Sequence, residues 1–278
     1  MWPFGKKKEK TQPQADPNQA QIQAFAQQFS PQEFTILVVT GYTPFGGARK
    51  QGSQLWEAGI GLTAWMEQDG EEIHRESTRL VTLADERLYS YLRSHVPSNF
   101  ILKAQVRASK DGQFFQLVGM PEPGFDPDLK AILNEQKKPV TLESADFGTF
   151  TLIRGAGWFD AEVDWNGVSS RLVFDCNEES EFCLNTARNL FDDPAVWDEK
   201  IRSYTASHML ATLNTFAAEG EEPMTAQELY DLLEPDSILV RGDGTFEFWY
   251  GNGGVFWGQL IRVCGSLGEG VTAALLAE

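Results

Sequence analysis

The run from Phe246 to Gly265, FEFWYGNGGVFWGQLIRVCG, decides how the second half of the chain is read. Phe246, Phe248 and Tyr250 alternate with Glu247 and Trp249, so a strand puts three rings on one face and the acid and Trp249 on the other. Beyond the turn, Phe256 alternates with Val255 and Trp257 in the same way. Gly251, Gly253 and Gly254 are expected to supply the positive φ angles between the two runs. The pattern predicts a hairpin on one face of a sheet, with its rings in the core. Ligand binding by Trp249 and Trp257 is the competing reading.

Working outward, Asn166-Gly167 joins two strand-like runs in GWFDAEVDWNGVSSRLVF, the pair favoured by a type I′ turn. An amphipathic helix follows in NEESEFCLNTARNLF, with acids in its first turn. Asp193-Pro194 opens a long helix over about 194–218, where Trp197, Ile201, Tyr204 and His208 recur at helical spacing. Thr225 and Glu228 form a capping box for a short helix. In the first half, strand patterning begins at FTILVV from Phe34, and helices are expected near 84–94 and 127–136, the second capped by Asp126 ahead of Pro127. Residues 1–33 read as a flexible tail with a short helix in which Ile22, Phe25 and Phe29 share a side. Strands and helices come in blocks without βαβ alternation. The fold class is therefore α+β, with two domains, each a mostly antiparallel sheet with packed helices, over 34–145 and 146–278.

Charge divides the halves. Residues 1–145 carry 16 Lys and Arg against 17 Asp and Glu, whereas residues 146–278 carry 7 against 23. An acidic field of this kind repels phosphate backbones and anionic lipid and favours a basic protein, so neither nucleic acid nor membrane is expected as a partner. The acids that form a candidate docking face are Glu178, Glu179, Glu181, Asp192 and Asp193. No apolar run is long enough for a membrane helix and no secretory signal is visible, which predicts a cytoplasmic protein. Cys176, Cys183 and Cys264 have no paired or metal-type spacing, and no His pair supports a zinc site, so no metal or cofactor is expected. His208, on the Trp197–Tyr204 face, is expected to be partly buried.

The segment ILVVTGYTPFGG, residues 36–47, resembles the substrate-pocket strand and loop of pyroglutamyl peptidases, and His95-Val96-Pro97 is similar to the surroundings of that family's catalytic His. The resemblance implies a cysteine peptidase using the 41–47 loop and His95. It lacks a nucleophile, since the family places its Cys before the His and all three Cys here follow His95. Residues 41–47 also lack the Lys and hydroxyl of a P-loop.

The second half resembles an uncharacterised bacterial family, domain of unknown function 2262. The resemblance rests on Gly157-Trp158, the helix ending at FDD, WDEKIRSYTASHMLATLN, the Thr225 helix start, DSILVRGDGTFEFWY and GGVFWGQLIRV. Gln259 stands where a His of that pattern is expected, and Gln cannot serve as a base. The family implies no activity. The expectation is a non-enzymatic binding protein with an acidic C-terminal domain, of which an immunity or inhibitor role against a basic enzyme is one form. Trp249, Trp257 and Gln259 are the non-acidic candidates for its binding surface.

Overall fold

The computed structural model describes residues 17–215, 222–251 and 259–277. Two compact units divide between Lys138 and Pro139. The expected boundary after residue 145 misplaced one short strand, Thr141–Ser144, because its hydrogen bonds run to Gly148–Ile153 in the second unit.

The first unit contains α1 (Pro17–Ala26), β1 (Phe34–Thr40), β2 (Gly46–Arg49), β3 (Trp56–Glu67), β4 (Thr78–Ala84), α2 (Glu86–His95), β5 (Ile101–Ala108), β6 (Phe114–Leu117), β7 (Glu122–Pro123) and α3 (Pro127–Gln136). Strand β1 pairs with both β3 and β5, β3 with β4, β4 with β6, and β6 with β5. Those five strands close into a barrel in which the β4–β6 pair is parallel and the rest antiparallel. Closure leaves no unpaired edge among them. Ile36, Val38, Ile60, Leu80, Val106 and Phe115 fill the interior. On the outside, Leu129, Ile132 and Leu133 of α3 pack on Leu37, Val39, Ala64 and Met66. Asp126 starts that helix as expected, its Oδ1 accepting the N–H groups of Asp128 and Leu129 at 2.9 Å each. Gln136 ends it on the barrel, donating through Nε2 to Thr40 O and Asn99 Oδ1.

The N-terminal segment is docked from α1 onward rather than being a tail up to residue 33. Ser30 N–H donates to Ala108 O and Lys110 N–H to Gln28 O, extending the β5 end. Phe25, near the end of α1, and Phe29, bridged to Ser109, are buried with ring centroids 5.1 Å apart. Ile22, grouped with them in the sequence, is 50% exposed.

The second unit contains β8 (Thr141–Ser144), β9 (Gly148–Ile153), β10 (Trp158–Trp165), β11 (Val168–Asp175), α4 (Ser180–Phe191), α5 (Pro194–Asn214), α6 (Ala226–Leu232), β12 (Glu234–Val240), β13 (Thr245–Gly251), β14 (Leu260–Ser266) and β15 (Gly270–Ala277). They form an eight-stranded sheet in the order β15-β14-β13-β12-β11-β10-β9-β8. The β11–β12 pair is parallel and needs a crossover, which α4, α5 and α6 provide. Their apolar sides share one core with Leu172, Phe174, Ile238, Val240, Phe246, Phe248, Tyr250 and Val263. The predicted face of Phe246, Phe248 and Tyr250 is thus core. Asn166 and Gly167 have φ of 52° and 86°, the left-handed pair of the predicted turn. The capping box of Thr225 and Glu228 is formed. Gly251 lies inside β13 without a positive φ, so it makes no turn. Gly253, Gly254, Phe256 and Trp257 fall outside the described residues. His208 is exposed, its ring stacked 3.8 Å from that of Tyr204, because α5 turns that side to solvent at this point.

One buried network ties this unit together. Asp198 on α5 is 5% exposed. Its Oδ1 accepts from Trp165 Nε1 at 3.1 Å and its Oδ2 from Arg202 Nε at 2.6 Å. Arg202 Nη1 donates to Leu233 O and Tyr230 O at 2.6 and 3.2 Å. Removing either partner of a buried pair leaves a charge without compensation.

Asp198→Ala is expected to lower stability by about 3–5 kcal/mol, and Leu129→Ala, which opens a cavity under α3, by about 2–5 kcal/mol. Urea unfolding of each variant measures both. A loss under about 1 kcal/mol for Asp198→Ala would show that the network is not a structural tie.

Candidate functional site

The acids expected to form one docking face have different tasks. Glu178 Oε2 accepts from Gly242 N–H at 2.7 Å and from Cys183 Sγ at 3.3 Å, joining the start of α4 to the β12–β13 turn. Glu181 and Asp146 hold Arg188 from two sides, at 2.7 and 2.6 Å. Their carboxylates raise the Arg188 pKa further above its ordinary range. Asp193 caps α5 by accepting Val196 N–H at 3.3 Å. Glu179 and Asp192, at the two ends of α4, are exposed.

A second group of acids lies on the sheet face turned away from the helices. A groove of about 600 Å³ there is lined by Asp160, Glu162, Arg171, Glu234 and Asp236, among others. Arg171 bridges Asp160 at 3.4 Å and Asp236 at 3.1 Å, so the single guanidinium of the groove is already held. Glu162 accepts from Ser169 Oγ across the β10–β11 pair. These residues escaped the sequence reading because they are spread over three strands and share a face only through the parallel β11–β12 register, Arg171 opposite Ser237.

Farther across that face, Glu247 is 6% exposed. It lies between Arg241 Nη2 at 2.7 Å and Arg262 Nε at 3.0 Å. The Arg262 guanidinium lies 5.8 Å from the Trp249 ring centroid, so Trp249 is half-buried beneath a cation. The predicted alternation put Glu247 on the correct side but did not reveal its burial. Gln259 is partly buried and engaged in an interaction. Trp257 is outside the described residues.

The residues of the peptidase resemblance form no nucleophilic pair within the first unit. His95 is exposed, stacked on Tyr91 at 4.0 Å, with Nδ1 2.9 Å from both Ser94 Oγ and Tyr91 O. The 41–47 loop passes into β2 and is fastened by Gly41 N–H to Gly61 O at 2.7 Å. All three Cys belong to the second unit. Burial, then the hydrogen bond and charge of Glu178, push the Cys183 thiol up to about 12. A thiol held protonated in this way is inert at neutral pH. Among the described residues, no group of three His, Cys, Asp or Glu is placed to hold a metal ion, and no helix is long and apolar enough to cross a membrane.

In a thiol-labelling experiment at pH 8, Cys176 and Cys264 are expected to react in the folded protein and Cys183 only on unfolding. Because the folded Cys183 keeps its proton while the unfolded chain loses one, this group makes stability fall as pH rises from about 9 to about 12. Rapid labelling of Cys183 in the native protein would contradict its placement.

Comparison with known proteins adds two matches to family models, neither of which carries an activity. No curated protein matches the sequence. A solved structure of a deletion mutant of the single-stranded DNA binding protein from Thermus aquaticus aligns with 51% of this chain and 75% of its own, at 10% identity and a TM-score of 0.23, a likeness too low to carry an argument. Residues 21–136 match the model described as "Domain of unknown function (DUF7021)". Residues 144–276 match that described as "Uncharacterized protein conserved in bacteria (DUF2262)".

Proposed function

We propose that this is a non-enzymatic, cytoplasmic binding protein whose second unit takes a basic protein partner. The observation that carries the reading is how the unit's arginines are used. Arg171, Arg188, Arg202, Arg241 and Arg262 each hold one or two of its own carboxylates. Its acids outnumber these guanidinium groups, and Glu162 and Glu234 lie in the groove beside Arg171. Such a surface steers a basic partner and sets its orientation. Glu179 and Asp192 extend the acidic surface, while Trp249, Trp257 and Gln259 are its non-acidic candidates. Inhibition of a basic enzyme, as an immunity protein does, is a specific form of this reading. The alternative, a hydrolase using the 41–47 loop and His95, has no nucleophilic Cys in its own unit.

Association with a lysine-rich peptide, followed by rate against salt, tests the reading. The Glu162→Gln, Glu234→Gln double variant is expected to associate more slowly and with a shallower salt dependence, since exposed charges act mainly on the encounter. Glu178→Gln is expected to lower the melting temperature instead, because its carboxylate joins α4 to the β12–β13 turn. Identical rates and salt slopes for wild type and the double variant would reduce the acidity to a solubility feature.

A further inference from the structure

On the outer face of the barrel, cross-strand register sets residues of β2, β3, β4 and β6 in rows. Gly61 stands opposite Arg79, and Arg79 opposite Phe114. In the next row Gly46 stands opposite Gly59, Gly59 opposite Val81, and Val81 opposite Gln116. Since Ile60 and Leu80 point inward, these neighbours point outward. Two grooves of about 550 and 440 Å³ run over the rows and share Gly46 and Arg79. Phe25, Phe29 and Phe114 line the first, and Tyr42 and Pro44 the second.

The glycines of this floor are not all demanded by the fold. A Cβ on Gly59 would come within 2.3 Å of Leu80 O, so that position must be bare. A Cβ on Gly61 would meet nothing within 4 Å, and one on Gly46 only Pro44 O at 3.8 Å. Neither has a left-handed backbone. Glycine inside a strand weakens it, and it marks a bulge, a bend at a barrel corner or the close approach of another group; β3 has a register irregularity between Leu62 and Ala64, next to Gly61, whereas β2 pairs with β3 at Gly46 without one. Two polar groups in the same rows lack partners. Arg79 is exposed and has no carboxylate beside it among the described residues, whereas Arg49 and Lys50 at the rim are paired with Glu86 and Glu57. The Gln116 carboxamide oxygen is shielded from solvent and receives no donor.

We propose that this face binds single-stranded nucleic acid, with bases lying on the bare floor at Gly46 and Gly61 and a phosphate at Arg79. A flat floor accepts the faces of planar rings, and an unpaired guanidinium in a groove accepts a phosphodiester. The acidity that disfavours phosphate backbones belongs to the second half of the chain, and residues 1–145 are close to neutral. This site is independent of the acidic groove, so either can fail without the other.

Fluorescence anisotropy of a labelled oligothymidylate of about 12 nucleotides, within the span such grooves cover, tests the proposal with the full chain. Wild type is expected to bind at low salt. Arg79→Ala is expected to bind about tenfold more weakly, with the slope of log affinity against log salt reduced by about one. Gly61→Val fills open space with a good strand residue, so it is expected to melt no lower than wild type and still bind about tenfold more weakly. Absence of binding by wild type at low salt would overturn the proposal, as would wild-type affinity in both variants. Tighter binding of polyglutamate or a neutral oligosaccharide, with the same sensitivity to Gly61→Val, would assign the face to that ligand instead.

Discussion

The second unit depends on one carboxylate that water cannot reach. Asp198 receives the Trp165 indole from the end of β10, and Arg202 carries the connection to the carbonyls of Tyr230 and Leu233 where α6 passes into β12. Those contacts set the position of α5 over the sheet and the point at which the chain re-enters it beside β11. A carboxylate in such surroundings is tolerable only if both oxygens are occupied and the charge is matched. Trp165, fully buried and within 5.0 Å of the ring centroids of Phe191 and Phe248, places the aromatic core around that polar centre.

The same economy of cations governs the outer face of the sheet. Few basic residues stand among many acids, and the two buried carboxylates are matched by three of them: Arg202 at Asp198, Arg241 and Arg262 at Glu247. Most of the other described acids are exposed, where water solvates them at little cost. The acidic surface thus follows from the way the interior is neutralised, and its location is set by sheet register rather than by any run of acids along the chain.

The first unit solves a different problem. Closing five strands into a barrel removes edges, and α3 covers one stretch of the outside with Leu129, Ile132 and Leu133. On the β2–β3–β4 side the outward positions include Gly46, Gly59 and Gly61 with Arg79 and Val81, and Phe25 and Phe29 ahead of β1 line the groove there. The short N-terminal helix belongs to this unit because its rings have apolar surface to meet there.

Local signals were legible wherever a few neighbouring residues decide the geometry. The Asp126 cap, the Asn166-Gly167 turn, the Thr225 capping box and the alternation of Phe246, Phe248 and Tyr250 each depend on spacing within a single element, which the order of residues states directly. Glu178 reads alike whether it is solvated or engaged, because the Gly242 N–H that distinguishes the cases lies 64 residues away along the chain. The same holds for Asp198, for the groove around Arg171, and for the row of Gly61, Arg79 and Phe114. Sequence alone determined two α+β halves, their principal turns and caps, and the excess of acid in the second. Tertiary structure decided which acids are neutralised, which glycines are left bare and which strands close the barrel, because these are set by pairing across strands, and register is a relation between distant segments that no local pattern contains.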